Sequence, residues 1–160
     1  MLKKTVAYVD IDEKGGEVAA EAVIRFVYTL PAVRLYESRT GGNFFEDYRA
    51  AFMQFSGLLS MYSDGEKKDF SAMGFEDQIK FLPILVDPVI SKFLMDVAPC
   101  MYAEIEGGRF VQNEETAATA EGAMWFMDLV NIGFFAEIFA ELSTDRLAEK
   151  TGVKKATKKK

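Results

Sequence analysis

The sequence predicts a mainly α protein: a single helical domain that opens with a small N-terminal β-hairpin and ends in a disordered, lysine-rich C-terminal tail. Three observations predict it. Apolar residues alternate over residues 4–11 (KTVAYVDI) and gather again over 17–28, on either side of a glycine turn. Beyond residue 30 they recur mainly at steps of three and four, the spacing of one face of a helix. No repeat, proline-rich linker or low-complexity run divides the chain before its tail, so residues 1–152 are expected to form one domain and 153–160 a basic, disordered end.

The elements follow in order. Asp12-Glu13-Lys14-Gly15-Gly16 carries the residues of a hairpin turn. Residues 17–28 (EVAAEAVIRFVY) read as the returning strand, although their alanine-rich start would equally suit a helix. Thr29 is placed to cap a short helix with Pro31 in its first turn, and Gly41-Gly42 end it. Asn43 and Glu46 have capping-box spacing ahead of a seam of Phe45, Tyr48, Phe52, Phe55, Leu59 and Tyr62, which Asp64-Gly65 closes. A polar loop (GEKKD) separates it from a third helix over 71–86. Asp87-Pro88 then open a fourth, whose face holds Ile90, Phe93, Leu94, Val97 and Met101. Pro83 and Pro99 are expected to kink or shorten these helices, because each removes an amide donor. Gly107-Gly108 end the block, and residues 109–113 form a connector or a short strand around Phe110. Asn113 or Thr116 caps a long last helix, and Ser143 or Thr144 opens a short one closed by Gly152.

Composition narrows the function classes. Hydrophobic residues make up 49% and charged residues 28% of 160, an ordinary globular balance. The net charge of −6 hides an asymmetry, since six lysines crowd the last eleven residues. Setting them aside leaves 13 basic residues against 25 acidic ones, about −12 on the body. Such a body repels phosphates, so no nucleic-acid partner is expected. Arg25, Arg34, Arg39 and Arg49 lie among Glu37, Glu46 and Asp47 and read as local ion pairs. Neither a secretory signal nor a membrane-spanning run is expected, and a lone Cys100 fits a reducing cytoplasm.

Catalytic equipment is scarce. The chain has no histidine, so triads and most metal sites are excluded, and no cofactor is expected. Neither glycine pair is followed by the Lys-Ser/Thr of a phosphate-binding loop, and Asp10 and Asp12 lack the remaining ligands of a calcium loop. Glu46-Asp47, Glu76-Asp77 and Glu114-Glu115 each sit near a helix start, where carboxylates partner orphan amides. A carboxylate-based metal enzyme is the minor alternative they leave open.

The unusual feature is the stretch Ala123–Leu142 (AMWFMDLVNIGFFAEIFAEL). Read as one helix, it has a face with Met124, Met127, Phe134, Ile138 and Leu142 and another with Trp125, Leu129, Ile132, Ala136 and Phe139. Two apolar stripes mean that the helix is sandwiched in the core or offers one stripe to a partner. Trp125, Leu129, Ile132, Phe135 and Phe139 are the candidate partner interface. Asn131 interrupts the other seam, either fixing helix register or reaching water.

The segment FVYTLPAVRLYESRTGGNFFEDY (Phe26 to Tyr48) resembles the N-terminal part of tail assembly chaperones of long-tailed bacteriophages and prophages. Leu35, Tyr36, Glu37, Thr40, Gly41, Phe44, Phe45, Glu46 and Asp47 carry the resemblance. It implies a non-catalytic protein of the host cytoplasm that binds the tape measure protein, helps to recruit tail tube protein and is absent from the mature virion. In many phages a frameshift adds a longer form. Self-association into a homo-oligomer is also expected. The alternatives are a structural tail or head–tail connector subunit, or a small helical interaction adaptor.

Overall fold

The computed structural model describes residues 1–63 and 73–143. The expected GEKKD loop and its Asp64-Gly65 start, the short last helix and the lysine tail lie outside those residues. The described part is mainly helical, with an N-terminal antiparallel hairpin of β1 (Leu2–Ile11) and β2 (Glu17–Phe26). Then come α1 (Leu30–Thr40), α2 (Phe44–Tyr62), α3 (Phe75–Lys80), α4 (Leu82–Leu85) and α5 (Pro88–Met101). A second, small hairpin of β3 (Glu104–Glu106) and β4 (Arg109–Val111) leads to α6 (Glu114–Gly122), α7 (Met124–Leu129) and α8 (Ile132–Leu142).

The first hairpin turns on Asp12. Its Oδ1 accepts from the amides of Lys14 and Gly16 at 2.8 and 2.7 Å, and its own amide donates to the Gly16 carbonyl at 2.9 Å. Pairing with β1 decides the ambiguous segment 17–22 in favour of a strand, because cross-strand contacts outweigh the helix propensity of its alanines. β2 stops at Phe26, two residues before the expected end. The Val27 amide donates to Met101 O at 2.8 Å, the Arg25 carbonyl accepts from Ala103 at 2.9 Å, and Thr29 already caps α1. Gln112 stitches this junction: its Nε2 donates to Val27 O and Met101 O at 2.8 and 2.9 Å, and its Oε1 accepts from the Thr29 hydroxyl.

Several expectations need correction. The helix expected over 71–86 is two short pieces, α3 and α4. Pro83 sits in the first turn of α4, where its missing amide costs nothing, but no α-helix runs through it from α3. Pro99, in contrast, is carried inside α5 near its end without stopping it. Gly107 and Gly108 are not helix terminators. Both have positive φ (56° and 78°) and form the tip of the β3–β4 hairpin, which demands that conformation at two successive residues.

The stretch from 114 to 142 departs furthest from expectation. It is not one long helix but three, broken at Ala123 and at Val130-Asn131, both extended. Asn131 is no register device: it reaches water, as the second reading expects, and it is also the N-cap of α8, its Oδ1 accepting from the Phe134 amide at 2.9 Å. Asn113 caps α6 in a reciprocal capping box with Thr116. The two breaks let α7 and α8 turn independently, so residues from both former stripes enter the core: Trp125, Phe126, Leu129, Ile132, Phe134, Phe135, Ile138, Phe139 and Leu142.

The centre of packing is aromatic. Phe139 of α8 lies 4.7 Å from Phe55, 5.9 Å from Phe52 and 6.2 Å from both Tyr48 and Phe93, joining α8 to α2 and α5. Phe134 meets Phe26 of the hairpin at 5.2 Å. Polar clamps surround this centre: Arg39 Nη2 reaches Glu121 at 2.6 Å, tying α1 to α6 and not to its sequence neighbours, and Lys4 pairs with Glu137 of α8. Phe139→Ala is expected to lower the free energy of unfolding by about 3–5 kcal/mol in a urea titration. An unchanged midpoint would show that this ring is not central.

Candidate interaction surface

The five residues expected to form a partner interface are all core residues. Trp125, Leu129, Ile132, Phe135 and Phe139 are between 1% and 7% exposed. Nor do they share one face: the Trp125 ring packs on Tyr102 at 5.5 Å, beside the base of the hairpin, whereas Phe139 packs on Phe55 of α2. Of its apolar side chains, the α7 segment leaves Met124 and Met127 outside.

The apolar surface lies instead on α2 and the elements after it. α2 buries Phe44, Ala51 and Phe55 and half-buries Tyr48, Leu58 and Leu59. Phe45 (60% exposed), Met53 (63%) and Met61 (72%) stand outside, and Phe52 is partly outside. The seam read from the sequence is therefore rotated, with Phe45 and Phe52 on its solvent flank. Adjacent residues on a helix project about 100° apart, so the doublets Phe44-Phe45 and Phe52-Met53 cannot both send two side chains into one core. That doublet pattern was the available signal. Phe75, Ile79, Leu82, Val86 and Val89 continue the exposed apolar series through α3, α4 and the start of α5.

Beside α2 lies a pocket of about 430 Å³, walled by Tyr36, Thr40, Gly42, Asp47, Ala50, Pro88, Val89, Lys92 and Phe93. The segment that carries the phage-family resemblance builds its rim. The Tyr36 hydroxyl donates to Asp47 Oδ2 at 2.9 Å, the Thr40 hydroxyl to Tyr36 O at 2.9 Å, and the Phe44 amide to Glu37 Oε1 at 3.1 Å. Gly41, at φ 70°, takes the left-handed cap between α1 and α2. These contacts fold the α1–α2 corner, and the pocket is its outer surface. Burial, reinforced by Asp47, pushes the Tyr36 phenol far above its ordinary range, so it stays a hydrogen-bond donor. Lys92, on the opposite wall, pairs with Asp96 at 2.5 Å, a contact that raises its pKa.

Asp87 ties the start of α5 to α2 next to this pocket. Its Oδ1 accepts from the amides of Val89 and Ile90, both at 3.0 Å, and its Oδ2 from Gln54 Nε2 of α2 at 2.9 Å. Desolvation opposes ionisation here, but the Gln54 bond and the two amides together outweigh it and hold the carboxyl below its ordinary value. The paired acids Glu46-Asp47, Glu76-Asp77 and Glu114-Glu115 all fall in first helical turns. Among the described residues no group of three or more carboxylates and cysteines is placed to hold a metal ion, and no helix is long and apolar enough to cross a membrane. No protein family, curated protein or solved structure matches the chain.

Two outcomes follow from these groups. A lowered folded pKa means that the Asp87 contribution is full above the unfolded value of 3.8 and fades as pH falls through the folded one. Asp87→Ala is thus expected to cost about 1 kcal/mol at neutral pH, with the gap from wild type narrowing in acid urea titrations. A gap that widens in acid would contradict it. Cys100 is buried, its thiol donates to Asp96 O at 3.3 Å, and desolvation pushes its pKa up to about 12. A chromogenic disulfide reagent should therefore label it only on unfolding; rapid labelling of the native chain would contradict that.

Proposed function

We propose that this chain is a non-catalytic phage tail assembly chaperone that holds the tape measure protein in the bacterial cytoplasm and is left out of the finished particle. The observation that carries the reading is the exposed flank of α2, where Phe45 and Phe52 stand two turns apart on one line with Met53 beside them, on a helix whose opposite side is core. Exposed aromatic and methionine side chains in one region favour contact with an apolar partner, and methionine repacks around different ones. A tape measure chain presents long apolar heptad faces before assembly, which aggregate unless covered. A helix of that client seats its a and d residues against α2 by helix-on-helix packing. The pocket next to α2 takes a larger side chain, and Asp47 on its wall suits a basic flank. The acidic body keeps the loaded complex soluble and draws basic clients to it. The resemblance over Phe26–Tyr48 supplies the identity of the client, and recruitment of tail tube protein follows from the same resemblance.

The test is co-expression with the tape measure protein of the same phage genome. Phe45→Asp/Met53→Asp is expected to weaken the complex by at least about 30-fold, the size of a hot-spot loss. Its melting temperature should stay within a few degrees of wild type, because both side chains are already outside. Undiminished binding would overturn the α2 assignment. Finding the chain in purified particles by mass spectrometry would overturn the chaperone reading in favour of a structural subunit.

A further inference from the structure

The N-terminal hairpin is longer than its fold requires. Its ladder pairs residue 2 with 26 through residue 11 with 17. Leu2, Val6 and Tyr8 are half-buried against the core, and β1 lies along α7 and α8. Lys3, Thr5, Ala7, Val9 and Ile11 form the opposite, exposed face. The Asp12–Gly16 bond puts the even-numbered residues in the hydrogen-bonded pairs of the ladder. The amides and carbonyls of Lys3, Thr5, Ala7 and Val9 therefore point away from β2, and they make no hydrogen bond to any described residue. On β2 the equivalent groups begin to be used only at Arg25, by Ala103. Natural edges are blunted by proline, bulges or charges, yet Thr5-Val6-Ala7-Tyr8-Val9 carries none of these.

We propose that β1 pairs antiparallel with β1 of a second copy of this chain about a two-fold axis at Ala7, giving a closed dimer with one four-stranded sheet. Charge and shape are complementary in this register. With Ala7 opposite the partner's Ala7, Lys4, which also pairs with Glu137 of its own α8, faces the partner's Asp10, Val6 faces the partner's Tyr8, and Thr5 faces the partner's Val9. Each of these contacts occurs twice by symmetry. A slip of two residues in either direction sets the Asp10 carboxylate against Leu2 or Val6 instead, an apolar contact. Self-pairing of β2 is disfavoured, because centring it on Glu21 places two carboxylates opposite each other and needs the Arg25 edge that Ala103 occupies. The tip half of each hairpin, with exposed Val9 and Ile11, then runs beside the base half of the other. This pairing does not rest on the chaperone reading, and the α2 surface plays no part in it.

The test uses the full chain in sedimentation and light scattering. Wild type is expected at twice the 17.9 kDa chain mass. Ala7→Pro removes only an outward amide, so the hairpin keeps its own bonds while the dimer is lost. Asp10→Lys sets two like-charged pairs across the axis and is expected to weaken association about tenfold. It decides the matter should circular dichroism show that Ala7→Pro fails to fold. Ala7→Cys is expected to form a disulfide-linked pair on mild oxidation, since directly opposed residues in such a ladder lie about 5.5 Å apart; Ala19→Cys on β2 is not. A strict monomer, a dimer indifferent to Ala7→Pro and Asp10→Lys, or mixed linkage of Ala7→Cys with Ala19→Cys in open-ended stacks would each overturn the proposal.

Discussion

Residues 114–142 hold too much apolar surface for one straight helix to bury. A continuous rod over 123–142 would be about 30 Å long, with stripes on two sides and only one core to lie on. The backbone meets this constraint by leaving the helical region at Ala123 and again at Val130-Asn131. Each break forfeits intrahelical hydrogen bonds. At the second, the Asn131 side chain recovers one by accepting from Phe134, and capping of this kind is worth about 1 kcal/mol. In return Trp125, Leu129, Phe135, Phe139 and their neighbours all reach the interior, and a large apolar side chain contributes roughly 1.5–3 kcal/mol when fully buried. Burial wins by a wide margin. The rest of the packing follows: α8 reaches α2 and α5 through Phe139, and the hairpin through Phe134.

Filling the core from the C-terminal segments changes what α2 has to do. Phe44, Ala51 and Phe55 satisfy its inner side, and its second set of large side chains has nowhere to go but outward. The hairpin is similar in kind. Only its base is needed to cover α7 and α8, and its outer face and tip remain open. The molecule thus has two unspent surfaces of different character. One is the outer side of α2, with Phe45, Phe52 and Met53 exposed, suited to another helix. The other is the outer edge of β1, whose outward backbone groups bond to no described residue, suited to another strand.

Much of this was legible in the chain. Alternation over 4–11 and the Asp12–Gly16 turn gave the first hairpin, Thr29, Asn43 and Asp87 gave true N-caps, and Ile90, Phe93, Leu94, Val97 and Met101 all face inward as spaced. Weak breakers inside strongly apolar runs were not legible. Ala123 has good helix propensity and Asn131 only a mild aversion, so periodicity alone carried the helix through both. Their effect is tertiary: a bend that costs little locally is chosen because it buries more globally. The same bends take Trp125 and Phe139 inside; they are surplus only on a straight helix. Gly107-Gly108 misled for a simpler reason. Two positive-φ glycines end a helix or turn a hairpin equally well, and the three-residue strands on either side are too short to show alternation.

Trp125 is the single tryptophan and reports directly on the central claim that the C-terminal apolar segments are interior. The decisive measurement is its emission and acrylamide quenching in the isolated chain, in the proposed dimer and in the proposed complex with a client. The expected result is a blue-shifted, poorly quenched indole in the free protomer that changes on neither assembly nor client binding and reddens only on unfolding. A tryptophan that is red and easily quenched in the free protein, then protected when a partner arrives, would contradict the packing described above and return the interface to α7 and α8.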